Sequence, residues 1–346
     1  MSKMPVAVIG AGLIGKVHID LAARHDEVSL AAIADPTDAA RQMAASFNVP
    51  WFADYRAMLD TVKPKGVVIA TPNATHARIA LDCIERGIAV IVEKPIAHTV
   101  EDAKRISDAS REFRIPVLVG HQRRHNPIVR RAREIVASGR LGKPVSATAL
   151  CTWLKPDDYF NTSWRRTEGG GPILINLIHD IDLLRHLFGD LESLQAVTSN
   201  ETRGFEVEDT AAVVLKFRNG ALATVSVSDT VAAPWNYDLA AGEVERFPRQ
   251  DVNSHYLCGT DASLTLPRLE LWEYRSGKGW HDPLTQERTA PHAGCPYTEQ
   301  LRHFRAVIDG TEAPICSALD GLRTLEATTA VHVAAKSGST VFLPGD

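Results

Sequence analysis

The stretch that decides the fold is Val6-Ala7-Val8-Ile9 with the residues that follow it, Gly10-Ala11-Gly12-Leu13-Ile14-Gly15. The apolar run predicts a β-strand, and the motif G-x-G-x-x-G after it opens a helix. In this motif the first glycine permits a tight turn, the second lets a pyrophosphate approach the backbone, and the third lets helix and strand pack closely. The N-terminus of the helix attracts the anion. We therefore predict a dinucleotide site formed by Gly10, Gly12, Leu13, Ile14 and Gly15.

An acidic residue, Asp35, follows the glycine motif by about twenty residues and comes directly after a second apolar run, residues 30–34. A carboxylate at this place accepts hydrogen bonds from both ribose hydroxyls of the cofactor and repels a 2′-phosphate. The alternative is that the glycines are coincidental and that Asp35 only caps a helix. Because strand, motif, helix and acid occur at the expected spacing, the sequence favours NAD over NADP as the cofactor.

Three more short apolar runs, at residues 67–70, 89–92 and 117–119, alternate with helical segments in the first third of the chain. Runs that are apolar at nearly every position are typical of parallel strands covered by helices on both faces. This alternation predicts an α/β fold in which residues 1–122 form an N-terminal, NAD-binding Rossmann domain.

The pattern changes after about residue 122, where longer strand candidates follow one another at residues 145–153, 211–217, 221–227 and 269–274. We predict that residues 123–346 form a C-terminal α/β domain for substrate, built on a large, mostly antiparallel sheet. Asn219-Gly220, between two of these strands, predicts a two-residue hairpin turn of type I′. Segment 231–254 is expected to be a long loop that covers the substrate or contacts another subunit.

The composition is that of a globular chain, with 346 residues, 45% hydrophobic residues and a formal net charge of −4. No basic excess indicates a nucleic-acid partner, and no apolar run approaches the roughly 20 residues of a membrane span. The five cysteines lie far apart without metal-binding patterns, so we interpret them as reduced thiols and expect no metal site. The beginning of the sequence lacks the features of a secretion signal, which predicts a cytoplasmic protein.

Polar residues also follow the third predicted strand, at the edge where open α/β sheets bind ligands. Thr71, Asn73 and His76 are therefore expected to contact the nicotinamide half of the cofactor. The alternative is that Thr71 and Asn73 only begin a helix.

Other polar and aromatic residues are candidates for substrate binding. Arg123 follows the last Rossmann strand and could face the cleft, although arginines at a domain junction are commonly structural. Trp164 and Arg165 precede three consecutive glycines and could close over a substrate, although indoles near a sheet usually belong to the core.

Together with the glycine motif and Asp35, three further motifs make the sequence resemble the Gfo/Idh/MocA oxidoreductase family: Thr71-Pro72-Asn73 with His76, Glu93-Lys94-Pro95, and Gly169-Gly170-Gly171 preceding His179 and Asp182. Members pair a Rossmann domain with a C-terminal α/β domain whose open sheet supports homodimers or homotetramers. Most oxidise or reduce sugars, cyclitols or related polyols. The resemblance implies NAD-dependent hydride transfer between a secondary alcohol and the nicotinamide ring.

The resemblance assigns the catalytic roles to Lys94 and His179, and it implies that Glu93 and Lys94 also contact the cofactor. An imidazole has an unperturbed pKa near the operating pH, so His179 suits the role of general base. Lys94 can hold the same substrate oxygen and stabilise its developing negative charge. The alternatives are a solvated strand-end lysine and a histidine that merely belongs to the core.

Around His179 the chain both keeps and departs from the family pattern. On a helix, His179, Asp182 and His186 form one polar stripe, in which Asp182 would orient the imidazole or line the pocket. The family usually has an acid four residues before the histidine, where this chain has Ile175 followed by Asn176. We expect Asn176 to hydrogen-bond the substrate and the pocket to be more apolar beside the base.

The sequence thus leaves more than one function open. The leading interpretation is an NAD-dependent dehydrogenase of a sugar, cyclitol or polyol. The alternatives are a cis-dihydrodiol dehydrogenase of aromatic degradation, a glycosidase that uses tightly bound NAD, and a non-catalytic NAD-binding sensor. Retention of Lys94 and His179 favours an enzyme, whereas Ile175 favours the sensor.

Overall fold

The computed structural model describes residues 2–244 and 246–345. The chain divides into two compact units: one reaches to His125 and resumes at Gly294–Leu325, and the other comprises Asn126–Ala293 and the residues from Glu326 onward. The fold class is α/β, as the sequence predicts. Among the described residues, no helix combines the length and the apolar character needed to cross a bilayer.

The first unit is built on a parallel sheet. Its strands are β1 (Met4–Ile9), β2 (Val28–Ala34), β3 (Trp51–Phe52), β4 (Gly66–Ile69), β5 (Ala89–Val92) and β6 (Val117–Val119). In the described residues their order is β3-β2-β1-β4-β5-β6, and every neighbouring pair is parallel. This is the dinucleotide-binding order, in which the strand order reverses between β1 and β4.

The helices between these strands differ in how they begin. They are α1 (Leu13–Arg24), α2 (Asp38–Ser46), α3 (Tyr55–Val62), α4 (Asn73–Glu85) and α5 (Val100–Phe113). Side chains of Thr37, Asp54 and Thr99 accept backbone N–H groups at the starts of α2, α3 and α5. At the starts of α1 and α4, no side chain of the described residues caps the helix in this way. Uncapped N–H groups at the end of a helix are suited to an anionic ligand.

The second unit is built on a mixed, mostly antiparallel sheet. Its strands are β7 (Pro144–Thr152), β8 (Leu191–Ser199), β9 (Thr210–Phe217), β10 (Leu222–Ser228), β11 (His255–Gly259), β12 (Ala262–Leu266), β13 (Glu270–Tyr274), β14 (Leu284–Arg288) and β15 (Val341–Phe342). Within the described ranges the order is β14-β13-β12-β11-β7-β10-β9-β8-β15, and β7 with β10 is the parallel pair. The helices of the same stretch are α6 (Pro127–Ala137), α7 (Ile178–Phe188) and α8 (Tyr237–Ala241).

The two faces of this sheet differ in burial. Along β9 and β10, buried and exposed side chains alternate, as expected when one face of a sheet is packed. The packed face forms a core with residues of α6 and α7. The other face carries exposed apolar side chains, among them Val197, Val214 and Leu222.

The hairpin between β9 and β10 is confirmed, but the predicted type I′ turn is wrong. Phe217 N donates to Ala221 O at 2.9 Å, so three residues form the turn, and of these Gly220 alone has positive φ, at +89°. A type I′ turn needs positive φ at both central residues. The Asn219 side chain instead accepts from Ala221 N at 3.0 Å and donates to Phe188 O at 2.7 Å. These two contacts fix Asn219 outside the left-handed region.

The chain returns to the first unit through α9 (Pro296–Ile308) and the first part of α10 (Ala318–Ser337). The domain limits therefore differ from the predicted single division at residue 122. Phe304 of α9 packs over β4, where a Cβ on Gly66 would come within 2.5 Å of its ring. A helix with one apolar face can be recognised from its sequence, but the pattern does not say which sheet the face covers.

Candidate active site

The glycine motif at the end of β1 contains two glycines that the fold itself requires. A Cβ on Gly10 would lie 2.5 Å from Ala70 O, and one on Gly15 would lie 2.1 Å from Gly10 O. A Cβ on Gly12, in contrast, would meet no atom within 4 Å. The open space above Gly12 and the uncapped start of α1 fit the pyrophosphate of a dinucleotide.

Asp35 lies at the end of β2, with its carboxylate directed back to the glycine motif. Oδ2 accepts from Ala11 N at 2.9 Å, and Oδ1 accepts from Thr37 N at 2.9 Å and Thr37 Oγ1 at 2.6 Å. Burial acts to raise the pKa of Asp35, but the hydrogen bonds from Thr37 and Ala11 outweigh it, so the pKa lies below its ordinary value. The Asp35 carboxylate is therefore ionised beside the glycine turn, where its charge repels a 2′-phosphate.

Thr71, Asn73 and His76 lie at the start of α4, as predicted for the carboxyl edge of the sheet. His76 is fully buried, and its Nδ1 and Nε2 lie 2.9 Å from Pro95 O and 2.8 Å from Thr71 O. Burial lowers its pKa against the opposing effect of these carbonyls. His76 thus joins the loop after β4 to the loop after β5, and contact of these residues with the cofactor stays a prediction.

Glu93 and Lys94 directly follow β5. Lys94 is half-buried, while Glu93 is only 6% exposed and its Oε1 lies 2.7 Å from His18 Nε2 on α1. The second carboxylate oxygen of Glu93 accepts from Lys94 N at 3.3 Å. The side chain of Glu93 is therefore held inside the unit, and the loop that carries Lys94 is attached to α1.

Arg123 lies in a short 3-10 turn after β6 and is only 4% exposed. Its neighbour Arg124 donates to Ile315 O at 2.8 Å and pairs with Asp320 at 3.2 Å, both within the first unit. Burial of this whole turn favours a structural role for the arginines, and substrate binding by Arg123 stays a prediction.

In the second unit the candidate residues lie on the segment that leads from β7 to α7. Trp164 is 51% exposed. The guanidinium of Arg165 stacks over the Tyr159 ring at 3.9 Å and donates to Tyr159 O at 2.7 Å. Arg165 is thus partly used in shaping its own loop, whereas the Trp164 indole is available to a ligand.

The three glycines before α7 make room for close neighbours. A Cβ on Gly170 would lie 2.3 Å from Trp164 O, and one on Gly171 would lie 2.2 Å from Glu208 Oε1. The same Glu208 oxygen accepts from Ile173 N at 3.1 Å. Glu208 therefore holds the first turn of the segment that leads to His179.

His179 lies in the first turn of α7 and is half-buried, and Asp182 is only 1% exposed. The preceding segment, Ile173–Leu177, is π-helical. Ile175 and Asn176 therefore lie on a wider turn than the α-helix that the sequence predicts, and the i, i+4 rule does not apply between Ile175 and His179. Asn176 Oδ1 is buried without a hydrogen-bond partner among the described residues.

Sequence reasoning missed two residues that shape these places, His18 and Glu208. A histidine on the buried face of α1, three residues after Gly15, is a signal that could have been noticed. Glu208 offered none, because its contact with residues 171–173 depends on the path of the chain. In the described residues, no group of three or more His, Cys, Asp or Glu side chains is placed to hold a metal ion.

Two family profiles match this chain. The profile described as "Oxidoreductase family, NAD-binding Rossmann fold" matches residues 4–121, and "GFO/IDH/MocA C-terminal domain" matches residues 129–264. The parallel sheet, glycine motif and Asp35 accordingly define an NAD-binding oxidoreductase. The chain belongs to the Gfo/Idh/MocA family, which confirms the resemblance and the choice of NAD.

Similar proteins include several dehydrogenases. The chain is 29% identical over 202 residues to the rhizopine catabolism protein MocA of Rhizobium meliloti, a match that spans 58% of this chain and 62% of that protein. It is 25% identical over 350 residues to the scyllo-inositol 2-dehydrogenase (NAD(+)) of Bacillus subtilis (strain 168), covering 97% of this chain and 95% of that one. The WlbA dehydrogenase of Bordetella pertussis, solved with NADH and UDP-GlcNAcA, is 25% identical with a TM-score of 0.80, and the match covers 100% of both chains.

Proposed function

We propose that this enzyme oxidises a secondary alcohol of a sugar, cyclitol or related polyol, and reduces the corresponding ketone in the reverse direction. The observation that carries the proposal is the placement of Lys94, a half-buried amine directly after β5, in the sheet whose first strand ends at the glycine motif. Ligands of open α/β sheets bind at this edge, so the amine can meet the oxygen of a substrate there. The similarity to scyllo-inositol 2-dehydrogenase (NAD(+)) over 97% of the chain supports the substrate class.

Gly10, Gly12 and Asp35 would hold NAD+, which would supply the acceptor for the hydride of the carbinol carbon. The protein must then remove the hydroxyl proton while the C=O bond forms. We assign this proton to His179, with the buried Asp182 one turn later on α7 helping to orient the imidazole. Lys94 stabilises the negative charge that develops on the oxygen.

Substrate hydroxyls are assigned to polar groups of the segment before α7. Asn176 supports this assignment, because its buried Oδ1 has no hydrogen-bond partner among the described residues and can accept from a hydroxyl. The exposed Trp164 would cover an apolar face of the substrate, with Arg165 and Arg123 as further candidates.

We also propose that the protein is a cytoplasmic homodimer or homotetramer associated through the open face of the second sheet. Val197 is 72% exposed, Leu222 51% and Val214 47% on that face, which is unusual for apolar side chains on neighbouring strands. Light scattering should give two or four times the mass of 37.7 kDa. Val214→Glu with Leu222→Lys should reduce that mass to one chain, whereas a monomeric unmutated protein would contradict the proposal.

The reaction is tested by following NADH absorbance with NAD+ and a panel of alcohols: scyllo-inositol, myo-inositol, D-glucose, UDP-GlcNAcA and a cis-dihydrodiol. We expect turnover with a sugar or cyclitol. Turnover with the dihydrodiol alone would favour the alternative that Ile175 suggests. NAD+ binding by calorimetry without turnover of any alcohol in the panel would favour the sensor.

A further inference from the structure

We propose that His18 is a positioning residue: it acts through Glu93 to fix the backbone of Lys94, and so connects the cofactor-binding helix α1 to the lysine. The inference rests on the role proposed above for Lys94. Three observations carry it, namely the burial of the His18–Glu93 pair, the second contact of the Glu93 carboxylate, and the contrast between His18 and His25.

The pair of His18 and Glu93 is sealed from solvent. His18 is 0% exposed and Glu93 is 6% exposed, and the two side chains meet at 2.7 Å. The edge of the His18 ring also packs against Tyr297, with ring centroids 5.5 Å apart. Moving either side chain out of contact would leave a buried polar atom without its partner, which costs free energy. The pair therefore restricts the positions of both side chains.

Glu93 transmits this position to Lys94. One carboxylate oxygen contacts His18, and the other accepts from Lys94 N at 3.3 Å. Gly120 also lies against Glu93, since a Cβ there would come within 2.9 Å of the carboxylate carbon. The carboxylate is thus confined between α1 and the end of β6. A catalytic side chain needs such support, because a displacement of about 1 Å can cost about 100-fold in rate.

The contrast with His25 separates this arrangement from ordinary core packing. His25 ends α1 and is also buried, but its Nδ1 accepts from Glu27 N and Val28 N, and its Nε2 faces Thr298 O at 3.2 Å. Those contacts shape the turn into β2. His18, in the middle of the same helix, instead contacts Glu93, the residue directly before Lys94.

The chemistry of the contact suggests a graded set of variants. His18 uses Nε2, and the amide nitrogen of glutamine reaches about as far from the backbone as Nε2 does, whereas that of asparagine is shorter. His18→Gln should therefore keep the bond to Glu93, while His18→Ala and His18→Asn should lose it. His25→Gln is the matched control, because it alters a buried histidine of the same segment without contact to Glu93.

The first measurement needs no substrate. The full-length protein is labelled briefly with acetic anhydride, and the modification rates of Lys94 and of the exposed Lys104 are followed by peptide mass spectrometry. In His18→Ala and His18→Asn the rate at Lys94 should rise about threefold or more as its loop loosens, with no change at Lys104. His18→Gln and His25→Gln should leave both rates unchanged. An unchanged rate at Lys94 in folded His18→Ala overturns the proposal.

The second measurement uses turnover of the best alcohol of the panel, with scyllo-inositol tried first. His18→Ala should lower kcat by about 10 to 100-fold, leave NADH affinity by fluorescence within about threefold, and be rescued by His18→Gln. In a Lys94→Ala background the same change should cost less than about twofold. Equal loss in both backgrounds overturns the proposal. If Lys94→Ala leaves kcat unchanged, the proposed role of Lys94 fails, and the labelling rates still decide whether His18 positions it.

Discussion

The end of β5 in the first unit and the entry to α7 in the second are built alike. In each, a glutamate whose side chain is only 7% exposed accepts a backbone N–H: Glu93 from Lys94 N itself, and Glu208 from Ile173 N, six residues before His179. In each, a glycine leaves the space that the carboxylate occupies, Gly120 in the first and Gly171 in the second. Each glutamate also pairs with a histidine.

The two places differ in how firmly the histidine holds the carboxylate. His18 lies 2.7 Å from Glu93 and is fully buried, whereas His332 lies 3.3 Å from Glu208 with its side chain 42% exposed. A polar contact open to water contributes less than a buried one between the same kinds of side chain. The backbone N–H of Lys94 is thus bonded to a carboxylate whose histidine partner is buried. His179 instead follows a π-helical segment whose first residue, Ile173, donates to a carboxylate whose histidine partner is partly exposed.

The largest effect is expected from removing the imidazole of His179 in the second region. His179→Ala should lower kcat by about 10² to 10⁴-fold, since it removes the group assigned to the substrate proton, while NAD+ affinity changes little. Steady-state kinetics and NADH fluorescence measure the two quantities. His186→Ala, two turns along the same stripe of α7, is the control and should retain most of the activity. Comparable losses in both variants would mean that the helix, and not His179, is responsible.

The corresponding change in the first region is Lys94→Ala. Turnover should fall by about 10²-fold or more, because a positioned charge near the substrate oxygen is lost, and NAD+ binding should stay nearly intact. Calorimetry for the cofactor and initial rates for the reaction check the two parts. Lys104→Ala, an exposed lysine, should behave as the unmutated enzyme. A Lys94 variant with full turnover removes this residue from the mechanism.

A third carboxylate sharpens the comparison, because Asp35 also accepts backbone N–H groups but has a hydroxyl, Thr37 Oγ1, in place of a histidine. Its hydrogen bonds keep its pKa below the ordinary value, so the charge persists at any pH above about 4. Asp35→Ser should reduce the preference for NAD+ over NADP+ by about 10 to 100-fold in kcat/KM. Asp38→Ser, an exposed acid on α2, should leave it unchanged. Equal use of both cofactors by the unmutated enzyme would contradict the assignment.

The smallest effect is expected from neutralising the two glutamates. Glu208→Gln keeps an acceptor for Ile173 N and alters only a contact with the partly exposed His332, so the free energy of unfolding should fall by about 1 kcal/mol or less. Glu93→Gln should cost more stability and more kcat, because both members of its pair are buried. Denaturant unfolding and initial rates compare the variants directly. If Glu208→Gln lowers stability or kcat more than Glu93→Gln does, the firmer contact is not the one between His18 and Glu93.

Elements whose structure depends on the local sequence pattern could be predicted from the sequence. The strands β5 and β6 lie where the apolar runs predict them, and the glycine motif opens α1 as expected, because each apolar run is short and bounded by turn residues. The family resemblance supplied Lys94 and His179 on motifs that the structure places at a strand end and in the first turn of a helix.

What the sequence did not reveal depends on contacts between distant residues. The π-helical turn before α7 forms where Glu208, 35 residues later, accepts Ile173 N, and no helical periodicity indicates such a partner. The turn type at Asn219 depends on Phe188 O, which lies far from it in sequence. The sequence predicts an α-helix around Ile175 and Asn176, whereas both lie on the wider π-helical turn.

The return of residues 294–325 to the first unit has a consequence for engineering. A gene fragment that stops at residue 122 would encode every strand of the Rossmann sheet but not Phe304, leaving Gly66 and the apolar surface around it bare. Such a fragment should aggregate, whereas a fusion of residues 1–125 to 294–325 through a short glycine linker keeps the missing cover. Recombination that exchanges the second unit between homologous genes must likewise cross over at more than one junction to leave the first unit whole.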